Sequence, residues 1–154
     1  MTSPGSSNSP RVSVVIPSYN RAHGVAQALD SINEPGLRPD DLQVIVVDNA
    51  SDDDIDGVIA RHGARFPNLV FRQWETNVGP IENWRRGIAL AEARWLKILW
   101  SDDRIKPRTI ERMLDAGDRN EARVVTCRAA IDYPDGTAAE RYLDRPTTPT
   151  PDVI

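Results

Sequence analysis

Apolar positions fall into two alternating arrangements along this chain. Unbroken, β-branched runs occur at Val12-Ser13-Val14-Val15-Ile16, Leu42-Gln43-Val44-Ile45-Val46-Val47, Leu69-Val70-Phe71-Arg72-Gln73 and Trp95 to Trp100. Such runs predict strands buried on both faces of a sheet. Between them apolar residues recur at helical spacing: Val25, Ala26, Leu29 and Ile32, then Ile55, Val58, Ile59 and His62. Ile81, Trp84, Ile88 and Ala91 predict the apolar face of a third helix, and Ile110, Met113 and Leu114 that of a fourth. Pro17 stops the first strand, Glu34-Pro35-Gly36 breaks the first helix, and Pro80 and Pro107 suit helix starts. Strand and helix alternating at roughly 25–30 residues predict βαβ units, an α/β fold with a mostly parallel sheet flanked by helices.

The two ends break this pattern. Residues 1–10 are rich in Ser, Pro, Gly and Asn and predict a disordered leader, so the domain spans 11–133. Arg123 to Tyr133 is a candidate fifth strand, and Tyr133-Pro134-Asp135-Gly136 is a turn of the hairpin-joining kind. Residues 134–154 include a Pro/Thr-rich stretch unsuited to regular structure. Two readings stand: a minimal domain with an irregular tail, or a larger protein cut at this point.

Composition narrows the partners. The chain has 154 residues, 40% hydrophobic and 27% charged, which suits a globular domain. A net charge of −4 predicts no broad attraction to nucleic acid or anionic lipid. The single cysteine, Cys127, excludes an intramolecular disulfide and a cysteine-rich zinc site; its apolar surroundings predict a packed core residue. A reducing, cytoplasmic setting fits this usage. No run reaches membrane-spanning length, and the N-terminus lacks a basic-then-apolar signal.

The chemistry gathers where strands end. The first strand runs into Pro17-Ser18-Tyr19-Asn20-Arg21, the second into Asp48-Asn49-Ala50-Ser51-Asp52, the fourth into Asp102-Asp103. In an open parallel sheet these ends share one edge, where ligands bind. An aromatic ring, amides, hydroxyls and carboxylates there suit a nucleotide. Asp48 or Asn49 can hydrogen-bond a base edge, Tyr19 can stack on it, and Asp102 can accept from ribose hydroxyls. Asp103 can ligate Mg2+ or Mn2+, hard cations that bridge to phosphates. Other groups have simpler readings. Asp52-Asp53-Asp54 suits helix capping, His23 and His62 lack a partner at ligand spacing, and Trp84 and Trp95 suit packing. Trp74 and Trp100 lie near strand ends, Arg85-Arg86 suits a solvated helix face, and Arg21 fits either a turn or a phosphate contact.

Four segments together resemble the nucleotide-sugar-binding part of a family 2, GT-A-fold glycosyltransferase: 12–20, 46–51, Asn77-Val78-Gly79-Pro80-Ile81-Glu82-Asn83-Trp84, and Trp100-Ser101-Asp102-Asp103. The resemblance runs from about Val12 to Met113, in family order. It implies transfer of a sugar from a nucleotide-diphosphate donor to an acceptor hydroxyl, with Mg2+ or Mn2+. Pro17, Tyr19 and Asn20 then border the nucleoside, Asp48 lies near the base, and Asn77 approaches the donor. Asn49 stands where a second Asp is usual. Asp102 and Asp103 match the end of the family's DxD-type motif, contacting ribose and metal and ligating the metal respectively. Trp100 replaces the leading Asp, leaving one carboxylate fewer. The acceptor, a glycan, lipid or small molecule, is not specified, and a peripheral membrane location stays open.

An inverting member needs a general base, which the resemblance places in the acceptor half after the fifth strand. That half is short or missing here. Asp132 and Asp135 come too early in the chain, so catalytic residues stay unassigned. A chain that binds nucleotide without catalysis is therefore the alternative. A Rossmann oxidoreductase is disfavoured because Pro-Ser-Tyr-Asn stands where G-x-G-x-x-G would, and no Walker A sequence occurs. The Gly/Arg/Lys-rich first loop of nucleotidyltransferases is also missing.

Overall fold

The computed structural model describes residues 9–133 and 137–141. The expected leader (residues 1–8), the Pro134-Asp135-Gly136 turn and the tail beyond residue 141 lie outside the described residues. The described elements are β1 (Val12–Ser18), α1 (Ala22–Ser31), β2 (Leu42–Asp48), α2 (Ile55–His62), β3 (Leu69–Gln73), α3 (Pro80–Ile88), β4 (Trp95–Ile98), α4 (Thr109–Arg119), β5 (Ala129–Asp132) and β6 (Ala138–Arg141). Contacts cluster in two compact units, one through Leu114 and one from Asp115.

In the first unit, four parallel strands form a sheet in the order β3-β2-β1-β4. This is the GT-A, Rossmann-like arrangement. All residues of β1 and β2 are buried, which their near-continuous β-branched sequence requires of central strands. Alternate residues serve opposite faces. Val14, Ile16, Val44 and Val46 pack with Val25, Leu29, Ile55, Val58, Ile110 and Leu114. Each such fully buried aliphatic side chain contributes about 1.5–3 kcal/mol. Val15, Ile45 and Val47 face the other way, beside Leu90 and Ala91.

Helix α3 meets that second face differently from its apolar spacing. Ile81 is 66% exposed and Ile88 is also exposed, whereas Asn83 and Gly87 are buried. The reason is close approach. A Cβ on Gly87 would lie 2.6 Å from Val15 Cγ1 and 2.8 Å from Val47 Cγ2. Asn83, one turn earlier, donates its amide to the carbonyls of Val47 and, more distantly, Ser18, at 3.1 and 3.4 Å. The helix therefore seats through a glycine and a strand-end hydrogen bond, not through an aliphatic stripe.

Four further expectations are corrected. β4 ends at Ile98, two residues before Trp100. The segment after α4 adds no fifth strand to the parallel sheet: 123–128 carries no strand, and β5 pairs antiparallel with β6 in the second unit. Flanking β5 and β6, Tyr133 N–H donates to Thr137 O at 2.8 Å. Cys127 is exposed, because its segment packs in no sheet. Helix α4 begins at Thr109 rather than Pro107, and its first amides, Ile110 and Glu111, donate to the Glu34 carboxylate at 3.1 and 3.0 Å. Among the described residues no helix is long and apolar enough to cross a membrane.

Candidate nucleotide-sugar site

Register brings the strand ends together. Ser18 of β1 pairs with Asp48 of β2, and Asp48 with Gln73 of β3. β4 ends opposite Val15, and Leu99 N–H donates to Val15 O at 2.9 Å, so residues 99–103 run out beside the β1 loop. Pro17 sits past the last β4 pair, where its missing N–H removes no ladder bond. Tyr19, Asn20, Asn49, Asn77, Asp102 and Asp103 thus follow strands that end on one edge.

Side-chain amides and carboxylates then tie the loops into a rim. Asn20, left-handed at φ 50°, donates its N–H to Ser51 Oγ at 2.7 Å and accepts Asp52 N–H at 2.9 Å. Asp53 accepts Ala22 N–H at 2.6 Å, supplying α1 with the cap that Arg21 cannot. Asp54 caps α2, accepting Gly57 N–H at 3.1 Å, so the expected capping role of the acidic triplet holds for these two residues. Asn49 joins the second and third loops. It donates to Asn77 Oδ1 at 2.7 Å and accepts Val78 N–H at 3.0 Å, while Asn77 also accepts Gly79 N–H at 2.9 Å.

The acids at this edge have different fates. Asp48 is fully buried, and its carboxylate accepts from Ser51 N–H, Ser51 Oγ and Gln73 Nε2. Its oxygens are engaged within its own loop, where they shape residues 48–51. Asn49 is likewise buried and engaged. Asp102 and Asp103 are exposed. Asp102 Oδ2 lies 3.7 Å from Arg21 Nη1, and the Asp103 carboxylate has no hydrogen-bond or ion-pair partner among the described residues. Tyr19 is 47% exposed, leaving its ring accessible.

A divalent ion would find two carboxylates here, at Asp102 and Asp103. Among the described residues no group of three or more His, Cys, Asp or Glu side chains could hold one. Two carboxylates are oxygen donors of the kind that hard cations such as Mg2+ or Mn2+ take, and a cation held by them would need further oxygen ligands from elsewhere. The position before Ser101 holds an indole instead of a third carboxylate. Trp100 packs on Trp84 with ring centroids 4.5 Å apart, and Arg86 covers Trp74 at 4.6 Å.

The sequence alone gave no role to Ser18, Asn83 or Trp74 Nε1. Ser18 Oγ, Asn83 Oδ1 and Trp74 Nε1 are buried without a hydrogen-bond partner among the described residues, and they sit at or next to the strand ends. Buried polar atoms are rarely left unpaired. An Asn one turn before a Gly inside an otherwise helical stretch is the sequence signal that marks Asn83. His62 is held between Val58 O at 2.8 Å and Asp30 at 3.1 Å, and His23 is exposed; neither lies among these groups.

A parallel sheet with helices packed on it and a polar, carboxylate-bearing rim at its strand ends defines an α/β protein of the kind whose ligands bind at that edge. The chain belongs to glycosyl transferase family 2, whose sequence profile matches residues 13–151. It is 26% identical over 145 residues to the succinoglycan biosynthesis protein ExoO of Rhizobium meliloti, covering 94% of this chain and 40% of that protein. It is 33% identical over 94 residues to the abequosyltransferase RfbV of Salmonella typhimurium, covering 60% and 28%. Among solved structures, S. aureus TarS 1–349 in complex with UDP-GlcNAc superposes with a TM-score of 0.67 at 26% identity, covering 72% of this chain and 32% of that one. The mannosyltransferase PcManGT from Pyrobaculum calidifontis, in complex with GDP-Man and Mn2+, gives 0.58 at 28% identity, covering 65% and 30%. The chain thus spans well under half the length of these relatives.

Proposed function

We propose that this chain binds the nucleotide-diphosphate donor of a metal-assisted glycosyltransferase. The observation that carries the reading is the exposed Asp102-Asp103 pair on the rim that Asn20, Ser51, Asn49 and Asn77 tie together. TarS bound to UDP-GlcNAc and PcManGT bound to GDP-Man and Mn2+ support it.

The roles divide along the rim. Tyr19 offers an accessible ring for the base, and Asn20 and Asn77 line the nucleoside side. Pro17, Asp48 and Asn49 hold the loops in shape from beneath. Asp102 accepts from ribose hydroxyls and, with Asp103, holds the cation. A divalent ion supplies charge neutralisation for the departing nucleoside diphosphate. In the transfer the acceptor oxygen bonds the anomeric carbon while the carbon–oxygen bond to the diphosphate breaks, its electron pair leaving with the diphosphate. The acceptor proton passes to a base.

Binding without turnover is the second reading. It draws support from the acids of the rim: Asp48 is buried in its loop, Asp53 and Asp54 cap helices, and the reading above assigns Asp102 and Asp103 to the cation. Asp132 is exposed on β5 in the second unit, and Asp135 lies outside the described residues. Calorimetry with UDP, GDP and dTDP, with and without Mn2+, tests donor binding. Metal-enhanced binding of one of them is expected; none binding a folded sample rejects it. Release of nucleoside diphosphate from a nucleotide sugar by the 154-residue chain overturns the second reading.

A further inference from the structure

We propose that Arg21 is a built-in placeholder for the cation, pairing with Asp102 in the nucleotide-free protein and transferring to the diphosphate when a donor binds. The inference rests on the donor-site reading above. Its starting observation is the 3.7 Å approach of Arg21 Nη1 to Asp102 Oδ2.

The fold enforces that approach. Arg21 follows Asn20, whose left-handed backbone is clamped by Ser51 and Asp52, and Arg21 O accepts Val25 N–H at 2.9 Å as α1 begins. The backbone of residue 21 is thereby held. On the other side, a Cβ on Gly24 would lie 2.2 Å from Ser101 O, so the first turn of α1 and the Ser101 backbone are in direct contact. Arg21 and Asp102 stand on either side of that contact. Their side chains remain 56% and 63% exposed, so the guanidinium can swing while its anchor stays still.

Charge sets the direction of the swing. An exposed ion pair contributes little by itself, so Arg21 leaves Asp102 readily once a better anion is offered. A diphosphate is such an anion, since guanidinium and phosphate make paired, charge-assisted hydrogen bonds. Without it, the positive charge beside Asp102 opposes a divalent ion; with it, the same charge moves to the phosphates and frees the carboxylate. Arg21 therefore couples the two ligands, and the coupling is reciprocal. The cation is admitted with the nucleotide and largely refused before it.

The test is Mn2+ binding to the full chain, followed by the electron paramagnetic resonance signal of free Mn2+. It is run with and without UDP or GDP, on wild type, Arg21→Gln and Arg21→Lys. Arg21→Gln should tighten Mn2+ about fivefold or more in nucleotide-free protein, the scale of one like-charge contact near a surface. It should also shrink the nucleotide-induced gain in Mn2+ affinity. Arg21→Lys keeps the charge and should match wild type without nucleotide, while losing part of the gain with it. Thermal melts establish that both variants are folded. If Arg21→Gln binds Mn2+ within twofold of wild type without nucleotide, the placeholder role is overturned while the donor site stands. If wild type binds neither Mn2+ nor nucleotide in any combination, the donor-site reading falls and this inference falls with it.

Discussion

Asp48 and the Asp102-Asp103 pair each follow an apolar parallel strand, yet they have opposite surroundings. Asp48 is fully buried and accepts three hydrogen bonds from Ser51 and Gln73. Asp102 and Asp103 are exposed, and of the two Asp102 alone has an ion-pair partner among the described residues, Arg21 at 3.7 Å. The difference comes from where the neighbouring strand stops. β2 is flanked by β1 and β3, which run in register to its last residue, so Asp48 is enclosed by Ser18 and Gln73. β4 is an edge strand that ends opposite Val15, and the chain beyond it is free to project. A carboxylate at a central strand end becomes architecture; one past a short edge strand stays available for chemistry.

The sharpest way to break this contrast is Asp48→Ala. It removes the acceptor of Ser51 N–H, Ser51 Oγ and Gln73 Nε2 and empties a buried site, and should lower stability by about 2 kcal/mol in urea unfolding. Equal stability to wild type would show that Asp48 does not hold its loop. Asp103→Asn is the counterpart. Calorimetry should show metal-enhanced nucleotide binding weakened about tenfold or more, with unfolding stability changed by less than about 0.5 kcal/mol. A large stability loss there would erase the distinction between the two sites. Ala50→Gly sharpens it further. Ala50 has φ 64°, a region costly to a residue with a Cβ, so glycine should stabilise the Asp48 loop by about 0.5–1 kcal/mol, seen as a higher Tm.

The smallest effect lies away from both sites and serves as a control. The Arg38 guanidinium holds the Asp41 carboxyl below its ordinary value, and Arg108 does the same for Glu111. A lowered folded-state value means stabilisation present above the unfolded value and lost as pH falls through the folded one. Melting curves below the ordinary carboxylate range should therefore show a loss that Arg38→Met reduces. An unchanged acid limb in that variant would remove Asp41 as its source.

The same contrast explains what could be read from residues alone. β3 coincides with its predicted bounds, β1 and β2 extend theirs only at the carboxyl end, and β2 needs all its apolar residues because it is covered on both sides. The convergence of the strand ends followed from parallel topology. Helix α3 departs from its apolar spacing because its buried face is Asn83 and Gly87, which serve close approach and hydrogen bonding rather than apolar area. The burial of Asp48 was invisible for a related reason. Its partners Ser51 and Gln73 are small or polar residues whose arrangement depends on register, and no hydrophobic pattern reports it. The segment from Arg123 has apolar residues of strand-like kind, but its strand, β5, pairs with the nearby β6 and not with the parallel sheet, a choice of partner that composition does not report.

Asn49 has one more consequence. By grasping Asn77 Oδ1 and Val78 N–H, it fixes the 77–79 segment before any ligand arrives. The freedom of that segment is surrendered when the chain folds, so association need not bear the entropy of ordering it. A small molecule reaching this edge would meet residues 77–79 already held in shape.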